Sequence, residues 1–458
     1  MKVKRNFEEN ASLRELSFFI MAIPLGWFFG MRFFMFHVFT LYLFSKMLFQ
    51  SRRFCIKKAI GRESVFLAAF IALYLFAILF NLNQIPASRL AATLYNLSFW
   101  GMGLFLIIIF RLSLSKKDTD AVLAASSIFG LITSIFLAFA YGYWFLSGGS
   151  YLAFYSPFFR ILPQSLKEIV LNSAPLVHTS LVPSIIGRDK LFGKPFPRSP
   201  GFNIYPTALG LTMIILIGLT FAWYLRKKKD KKILALLCLE GLTLVLSLSR
   251  TAVLAFIPAA LFVGSFVLFQ KKVNRKIVAI VVLILVVLAM FFPYQKVINV
   301  MSSFRGESTA SRIGLYRLTI SKALERPILG HGFKPRTEEA PVPIGSHSTY
   351  IGVFYRTGIL GTVAFLLFWF LIVRRWFRVR SQLAVIPDLV ALWYGTGIGL
   401  FGGLLWMFTE DIDAPPIAAF FFFIVVALVL SLDRLAEEAG SRKEPKLSVD
   451  TENRNLNP

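Results

Sequence analysis

The sequence predicts an all-α integral membrane protein, a bundle of about twelve transmembrane helices with two long extracytoplasmic loops. Hydrophobic residues make up 56% of the 458 positions and charged residues only 16%. Apolar runs of about 20 residues, long enough to cross a bilayer as helices, recur from near the N-terminus to residue 432. No small-residue cleavage site follows the first run, so we expect a retained helix there rather than a signal peptide.

The apolar runs define the predicted helices in order along the chain. Their expected bounds are 15–31, 33–50, 64–82, 90–110, 120–146, 202–224, 233–249, 251–269, 277–293, 349–373, 388–408 and 416–432. Residues 1–432 are therefore predicted to form one membrane domain. The polar, mixed-charge residues 433–458 are predicted to form a disordered cytoplasmic tail.

The net charge of +26 raises the question of nucleic-acid binding, but the location of the basic residues argues against such a partner. Five short connections on one side hold 22 lysines and arginines, and the short connections on the other side hold almost none. This asymmetry is typical of cytoplasmic loops. It predicts that the basic side and both termini of the chain lie in the cytoplasm.

The two long connections, 147–201 and 294–348, fall outside by parity. The first holds seven of the 21 prolines, which indicates a structured but irregular loop. Apolar residues recur at helical spacing in the second, at Ile313, Tyr316, Ile320 and Leu324. They predict an amphipathic helix near 310–325, ended by Pro327.

The outer side carries positive charge that membrane insertion does not require. About 18 lysines and arginines face about nine acidic residues there. Either an anionic ligand at the outer leaflet or a solvated loop surface would explain the excess. Arg250 stands between two apolar runs with almost no loop around it, so it either faces a polar cavity or extends its head to the interface.

Further candidates follow in the second long connection. Arg312, with Arg305 before it and Arg317 one turn later, could hold phosphate oxygens in its guanidinium fork, or could face solvent. His347 opens the tenth predicted helix, where a neutral imidazole could accept a proton from a hydroxyl; a structural role is the alternative. The acidic group 410–413 could orient a sugar or act as a base, or could be an interfacial turn.

Several kinds of site are not indicated. No spacing of His, Asp, Glu or Cys suggests a metal cage, and Cys55 and Cys238 suit neither a disulfide framework nor a metal site. No glycine-rich loop follows a strand, so ATP binding is not indicated either.

Short motifs in the second half of the chain resemble those of the O-antigen ligase/O-antigen polymerase superfamily. In order they are Leu248-Ser-Arg250-Thr, Ser311-Arg312, Pro327-Ile-Leu-Gly330-His-Gly332, His347-Ser-Thr-Tyr350 and Gly358-Ile-Leu-Gly361. Upstream, Arg198-Ser-Pro-Gly201-Phe202 with Pro206 resembles another element of the family. Ser348 and Thr207 stand where asparagine is usual, which puts fine specificity in doubt more than class.

The resemblance implies glycan transfer at the outer face of the bacterial plasma (inner) membrane, from undecaprenyl pyrophosphate to an acceptor hydroxyl. The lack of a metal-ligand cluster and the many outer arginines, which can supply positive charge themselves, predict that transfer needs no metal ion or other cofactor. The acceptor is lipid A-core in the ligases and another lipid-linked repeat unit in the polymerases. The residues do not separate the two; the joint match of Arg250, Arg312 and His347 favours a ligase. Those three are the expected catalytic residues. The expected substrate-binding residues are Arg198, Arg305, Arg317 and Tyr350.

Other classes of membrane protein fit less well. A flippase for lipid-linked oligosaccharides should carry charge along a central cavity, and often internal repeats. The candidate residues here cluster at the helix mouths instead. A channel or solute transporter fits worse for the same reason, and a purely structural scaffold would not require Arg250.

Overall fold

The structure, a computed structural model, describes residues 13–50, 60–172, 177–191, 194–268, 312–338, 342–383 and 386–441. Its long helices are α1 (Arg14–Phe29), α2 (Met35–Gln50), α3 (Arg62–Phe80), α4 (Ala87–Ser113), α5 (Lys116–Leu146), α9 (Pro206–Arg226), α10 (Lys231–Leu246), α11 (Arg250–Leu268), α12 (312–323), α13 (Thr349–Leu383), α14 (Pro387–Trp406) and α15 (Pro416–Ser441). The short helices α6 (Pro157–Ile161), α7 (Gln164–Asn172) and α8 (Val177–Ser180) lie between α5 and α9.

Eleven of the twelve predicted transmembrane segments coincide with a helix in the described residues, and the segment at 277–293 lies outside them. By length and composition, seven of the described helices could cross a membrane: α3, α4, α5, α9, α13, α14 and α15. Apolar stretches of α2 and α11 are shorter. The mainly helical membrane fold is thus confirmed, while the count of twelve stays a prediction.

Helix α15 forms the centre of the bundle. It packs against α4, α9, α13 and α14, and its residues from Ile417 to Leu432 are buried. Its apolar surface, including the phenylalanine run 420–423, therefore contacts other helices on every side. The turn that precedes this helix, residues 407–415, is therefore held at a fixed place at one end of the bundle.

Helices α9 and α14 approach each other closely through glycines. A Cβ atom on Gly218 would lie 2.5 Å from the carbonyl oxygen of Gly395, and one on Gly395 would lie 2.2 Å from that of Gly218. Small residues allow such close backbone packing inside a membrane protein. The glycine contact joins the middles of the two helices, and Trp406 at the end of α14 donates to Thr207 O at the start of α9 (3.2 Å).

Ion pairs join the basic connections to one another at the opposite end of the bundle. They are Arg375–Glu63 (3.0 Å), Arg375–Asp433 (2.6 Å), Arg226–Asp120 (2.6 Å) and Lys116–Asp388 (2.6 Å). We call this the basic end, and the other the acidic-turn end, after residues 407–415. The fold thus separates the basic connections from the long ones; which end is cytoplasmic remains a prediction.

Two regions differ from the sequence-based expectation. The last helix continues to Ser441, past the predicted boundary at 432, because Asp433 pairs with Arg375 and Arg434 donates to the carbonyl of Arg111 (2.6 Å). Residues 442–458 of the predicted tail lie outside the described part. The proline-rich connection also contains two antiparallel strand pairs that an all-α prediction misses. Strand β1 (Ala153–Tyr155) pairs with β2 (Leu181–Pro183) across the three short helices, and β3 (Gly187–Leu191) forms a hairpin with β4 (Lys194–Arg198).

Candidate active site

The acidic turn, residues 407–415, gathers three cations from other parts of the chain. Each of its carboxylates holds one of them: Glu410 with Arg312 (2.9 Å), Asp411 with Lys334 (2.9 Å) and Asp413 with Arg356 (2.6 Å). The cations come from the start of α12, from the segment before α13 and from α13 itself. Through Arg312 and Lys334, the second long connection is therefore attached to the bundle at this turn.

Glu410 brings two of the expected catalytic residues together. Its Oε1 accepts a hydrogen bond from Nη2 of Arg312, and its Oε2 lies 3.6 Å from Nδ1 of His347. Arg312 also donates to the carbonyl oxygen of Thr409 (3.4 Å). Among the described residues, Nε2 of His347 has no hydrogen-bond partner, and 31% of the side chain is exposed. The imidazole thus has the Glu410 carboxylate beside Nδ1, while its Nε2 is available to another molecule.

The backbone around His347 is fixed from several directions. Its carbonyl accepts a hydrogen bond from the hydroxyl of Tyr316 (2.6 Å), and its N–H donates to Asp411 (3.2 Å). The residue has a φ of 63°, a left-handed conformation that is uncommon outside glycine and clusters at functional sites. Thr349 then joins the start of α13 to the turn, because its hydroxyl donates to the carbonyl of Glu410 (2.8 Å).

The Pro327–Gly332 turn is seated against a kink in α13. Gly358 has φ 59° and ψ −162°, a conformation essentially restricted to glycine, and it interrupts the helix. The turn satisfies backbone groups freed there: Ile359 donates to Pro327 O (2.7 Å), and Gly332 donates to Arg356 O (2.8 Å). The two glycine motifs therefore act as a structural joint that holds α12 and His347 in place.

Asp413 and Arg356 form a fully buried pair beneath the site. Arg356 Nη1 also contacts the hydroxyl of Tyr74 (2.8 Å), and Trp100 donates to the same carboxylate oxygen of Asp413 (3.3 Å). Desolvation favours the neutral acid, but the Arg356 guanidinium and then Lys334 outweigh it, so the pKa of Asp413 lies below its usual value. The pair anchors the acidic turn to α3, α4 and α13.

Arg250 lies at the same end of the bundle, without contacting the acidic turn. It begins α11 and is half-buried, and among the described residues its guanidinium has no hydrogen-bond or ion-pair partner. Its neighbour Ser249 packs against Gly210 of α9, and Trp406, near the acidic turn, donates to Thr207 O at the start of α9 (3.2 Å). The start of α9 therefore contacts both the residue before Arg250 and the residue before the acidic turn.

The four expected substrate-binding residues have different surroundings. Arg198 ends β4, where its carbonyl accepts from Ile186 N (2.9 Å). Arg317 is exposed on α12, the amphipathic helix that the sequence predicted. Tyr350 donates to Leu404 O (3.0 Å) and packs against aromatic rings of α13 and the acidic turn. Arg305 lies outside the described residues. Substrate contacts of all four stay predictions.

The sequence singled out the acidic group 410–413, which holds three of the about nine acidic residues expected outside, but it missed Lys334 and Arg356. The sequence could not show that this turn closes on α12 and His347, which are about 60 to 100 positions away in the chain. Tyr205 is another neighbour, since burial and then the carboxylates of this turn raise its pKa.

The site offers charge, hydrogen-bond donors and a potential base. Within the part of the chain that the structure describes, no group of three or more histidine, cysteine, aspartate or glutamate side chains could hold a metal ion. Arginine forks suit phosphate oxygens, and an imidazole beside a carboxylate suits proton transfer. The arrangement can therefore bind a phosphorylated donor next to a hydroxyl that has to lose its proton.

Comparison with known proteins agrees with this chemistry. Residues 233–366 match the family model described as Wzy_C, O-antigen ligase, a segment that includes Arg250, Arg312, His347 and the joint at Gly358. No curated protein matches the chain significantly. The match indicates ligase- or polymerase-type activity on lipid-linked glycans, and with the apolar helices a multi-pass protein of the bacterial inner membrane. In this segment, residues 233–366, the chain is similar to the O-antigen ligase superfamily.

Proposed function

We propose that the protein transfers a glycan from undecaprenyl pyrophosphate to an acceptor hydroxyl of lipid A-core at the outer face of the inner membrane, as an O-antigen ligase. The observation that supports this most is the Arg312–Glu410–His347 group at the mouth of the bundle. It combines a phosphate-binding side chain with a potential base in one place. Both residues belong to the segment that matches the ligase family.

Arginines bind the donor pyrophosphate in this proposal. Arg250 has no partner among the described residues, so its charge is available, whereas Arg312 would exchange part of its contact with Glu410 for the pyrophosphate. Arg198, Arg305 and Arg317 would add charge around the entering donor. As the bond from the anomeric carbon to the pyrophosphate oxygen breaks, these cations stabilise the negative charge on the leaving undecaprenyl pyrophosphate.

His347 handles the acceptor in this proposal. The acceptor oxygen forms the new bond to the anomeric carbon, and its proton passes to Nε2 of His347. Glu410, beside Nδ1, orients the ring and stabilises the imidazolium that results. Tyr350 would contribute to the wall of the sugar pocket. No step needs a metal ion, because the arginines supply the positive charge themselves.

A transfer assay with two acceptors tests the proposal. The purified protein in lipid nanodiscs receives an undecaprenyl-pyrophosphate glycan with either lipid A-core or a second lipid-linked repeat unit. Transfer to lipid A-core supports the ligase; elongation of the lipid-linked unit alone identifies a polymerase instead. Addition of EDTA should leave the rate unchanged. Loss of activity with EDTA and its recovery with Mg²⁺ would contradict the metal-independent mechanism.

Cysteine labelling tests the proposed orientation. In a C55A/C238A background, single cysteines at positions 250, 312 and 347 should react with a membrane-impermeant thiol reagent that reaches the periplasmic face. A cysteine at position 229, on the basic connection between α9 and α10, should stay unlabelled until the membrane is permeabilised. Labelling of position 229 in sealed membranes of known orientation would reverse the topology.

A further inference from the structure

A cavity of about 320 Å³ lies at the basic end, away from the proposed transfer site. It opens between the first turn of α3 and the second half of α13, where α15 also ends. Its lining residues are Gly61, Arg62, Glu63, Leu371, Arg374, Arg375, Arg378 and Asp433. Four of the eight are arginines, which makes this cavity strongly cationic.

The acidic groups of the cavity are already neutralised. Arg375 contacts both Glu63 (3.0 Å) and Asp433 (2.6 Å), and Arg111 adds a second cation 3.5 Å from Glu63. Three further arginines around the cavity are exposed, and their guanidinium groups have no hydrogen-bond or ion-pair partner among the described residues: Arg62, Arg374 and Arg378. The cavity therefore has a positive charge that nothing in the described chain balances.

The first turn of α3 adds hydrogen-bond donors to this charge. Gly61 caps the helix with no side-chain acceptor, so the first backbone N–H groups of α3 are left for another partner. Helix N-termini and arginine forks both suit phosphate oxygens. Together with the cavity, they define a site for a phosphate-bearing anion.

Apolar surface begins directly beside the arginines. Phe370, one turn before Arg374 on α13, is 59% exposed, and Val65, one turn into α3, is 53% exposed. A free phosphate would make no use of this surface, whereas the acyl chains of a lipid would lie along it. Positive charge at this end also directs membrane insertion, but insertion requires only the charge and not its convergence on a cavity between two helices.

We propose that this cavity binds the phosphate headgroup of an anionic phospholipid, whose acyl chains lie along α3 and α13. The lipid would join α3, α13 and the end of α15 at the basic end. It would thereby stabilise the helix on which the kink at Gly358 and the start at Thr349 are built. The proposal does not depend on the transfer reaction.

Thermal unfolding of the detergent-purified protein tests the proposal. Phosphatidylglycerol should raise the Tm by about 3 °C or more, and zwitterionic phosphatidylcholine should not. Glycerol 1-phosphate, which has the headgroup phosphate without acyl chains, should have little effect at the same concentration. An equal shift with glycerol 1-phosphate would overturn the lipid assignment in favour of a free phosphate.

Two variants that lose the same charge test whether the cavity is responsible for the shift in Tm caused by phosphatidylglycerol. R62Q/R374Q/R378Q should lose most of the shift caused by phosphatidylglycerol. K228Q/K229Q/K231Q, which removes the same charge from exposed positions of another basic connection, should keep it. If the first variant does not fold, R374Q/R378Q should at least halve the shift. An unchanged shift in either cavity variant, or an equal loss in the lysine variant, would overturn the proposal.

Discussion

His347 and Arg312 are joined through one carboxylate, that of Glu410. Arg312 Nη2 lies 2.9 Å from Oε1, and His347 Nδ1 lies 3.6 Å from Oε2. The two residues are 35 positions apart in the chain, and the residue that connects them is a further 63 positions along. A change at Glu410 should therefore affect donor binding and proton transfer in different ways.

The Glu410→Gln substitution should separate the two functions. It removes the negative charge that competes with pyrophosphate for Arg312, so donor binding should be kept or become tighter. It also removes the anion beside His347, so transfer should slow by about 10²–10⁴. Donor binding and single-turnover transfer on the same preparation measure both effects.

The exposed Glu325→Gln substitution is the control for Glu410, since its partner Lys322 lies at the surface. It should change neither donor binding nor transfer. Equal losses of donor binding and transfer in Glu410→Gln would leave Glu410 only a structural role.

The buried Asp413–Arg356 pair should be required for stability. Asp413→Asn leaves the Arg356 charge buried without its counter-ion, which costs about 3–5 kcal/mol of unfolding free energy. The exposed pair Lys322–Glu325 gives the comparison, because Lys322→Gln should cost less than about 1 kcal/mol. Denaturant unfolding in detergent micelles measures both changes. Similar small values for the two variants would show that the buried pair is not an anchor.

The same pair predicts a direction of pH dependence. The pKa of Asp413 in the folded protein lies below its ordinary value of 3.8. Its contribution is therefore fully present above the ordinary value and is lost as the pH falls through the lower folded value. As the pH falls through this lower pKa, the unfolding free energy of the wild type should therefore approach that of Asp413→Asn.

The kink of α13 should not tolerate a side chain at position 358. A Cβ on Gly358 would lie 2.3 Å from the carbonyl carbon of Ile328, and its φ and ψ are essentially closed to alanine. Gly358→Ala should therefore cost at least about 1–3 kcal/mol of unfolding free energy and displace His347. Gly101→Ala is the matched control, since a Cβ there meets nothing within 4 Å. Unchanged thermal stability and transfer in Gly358→Ala would contradict the role of this joint.

The helices could be predicted from sequence because the apolar run that indicates each helix lies within one continuous stretch of the chain. The helix at 312–323, the turn at Pro327 and the start of α13 followed from spacing and proline alone. The extension of α15 to Ser441 did not, because it depends on Asp433 and Arg434 meeting side chains and carbonyls from α13 and α4. The short strand pairs between α5 and α9 were missed because strands of three to five residues leave little periodicity in the sequence.

The site could be predicted only in part. Arg312 and His347 were predicted from their residue types and motif order, and the structure places both beside one carboxylate, that of Glu410. The contact of Glu410 with these two residues could not be predicted, because they are far apart in the sequence and meet only through the tertiary packing of the turn 407–415. The same packing shows Pro327–Gly332 and Gly358 as parts of one joint, whereas the sequence presents them as separate motifs.

Donor binding measured beside transfer, on the same purified variants, tests the division of roles most directly. Arg250→Lys and Arg312→Lys keep the charge but lose the planar fork. They should bind the undecaprenyl-pyrophosphate glycan weakly and lose about 2–4 kcal/mol of transition-state stabilisation, or roughly 10²–10³ in rate. His347→Ala should bind the donor normally and slow transfer by about 10²–10⁴. Normal donor binding by both arginine variants, with weak binding by His347→Ala, would contradict the account.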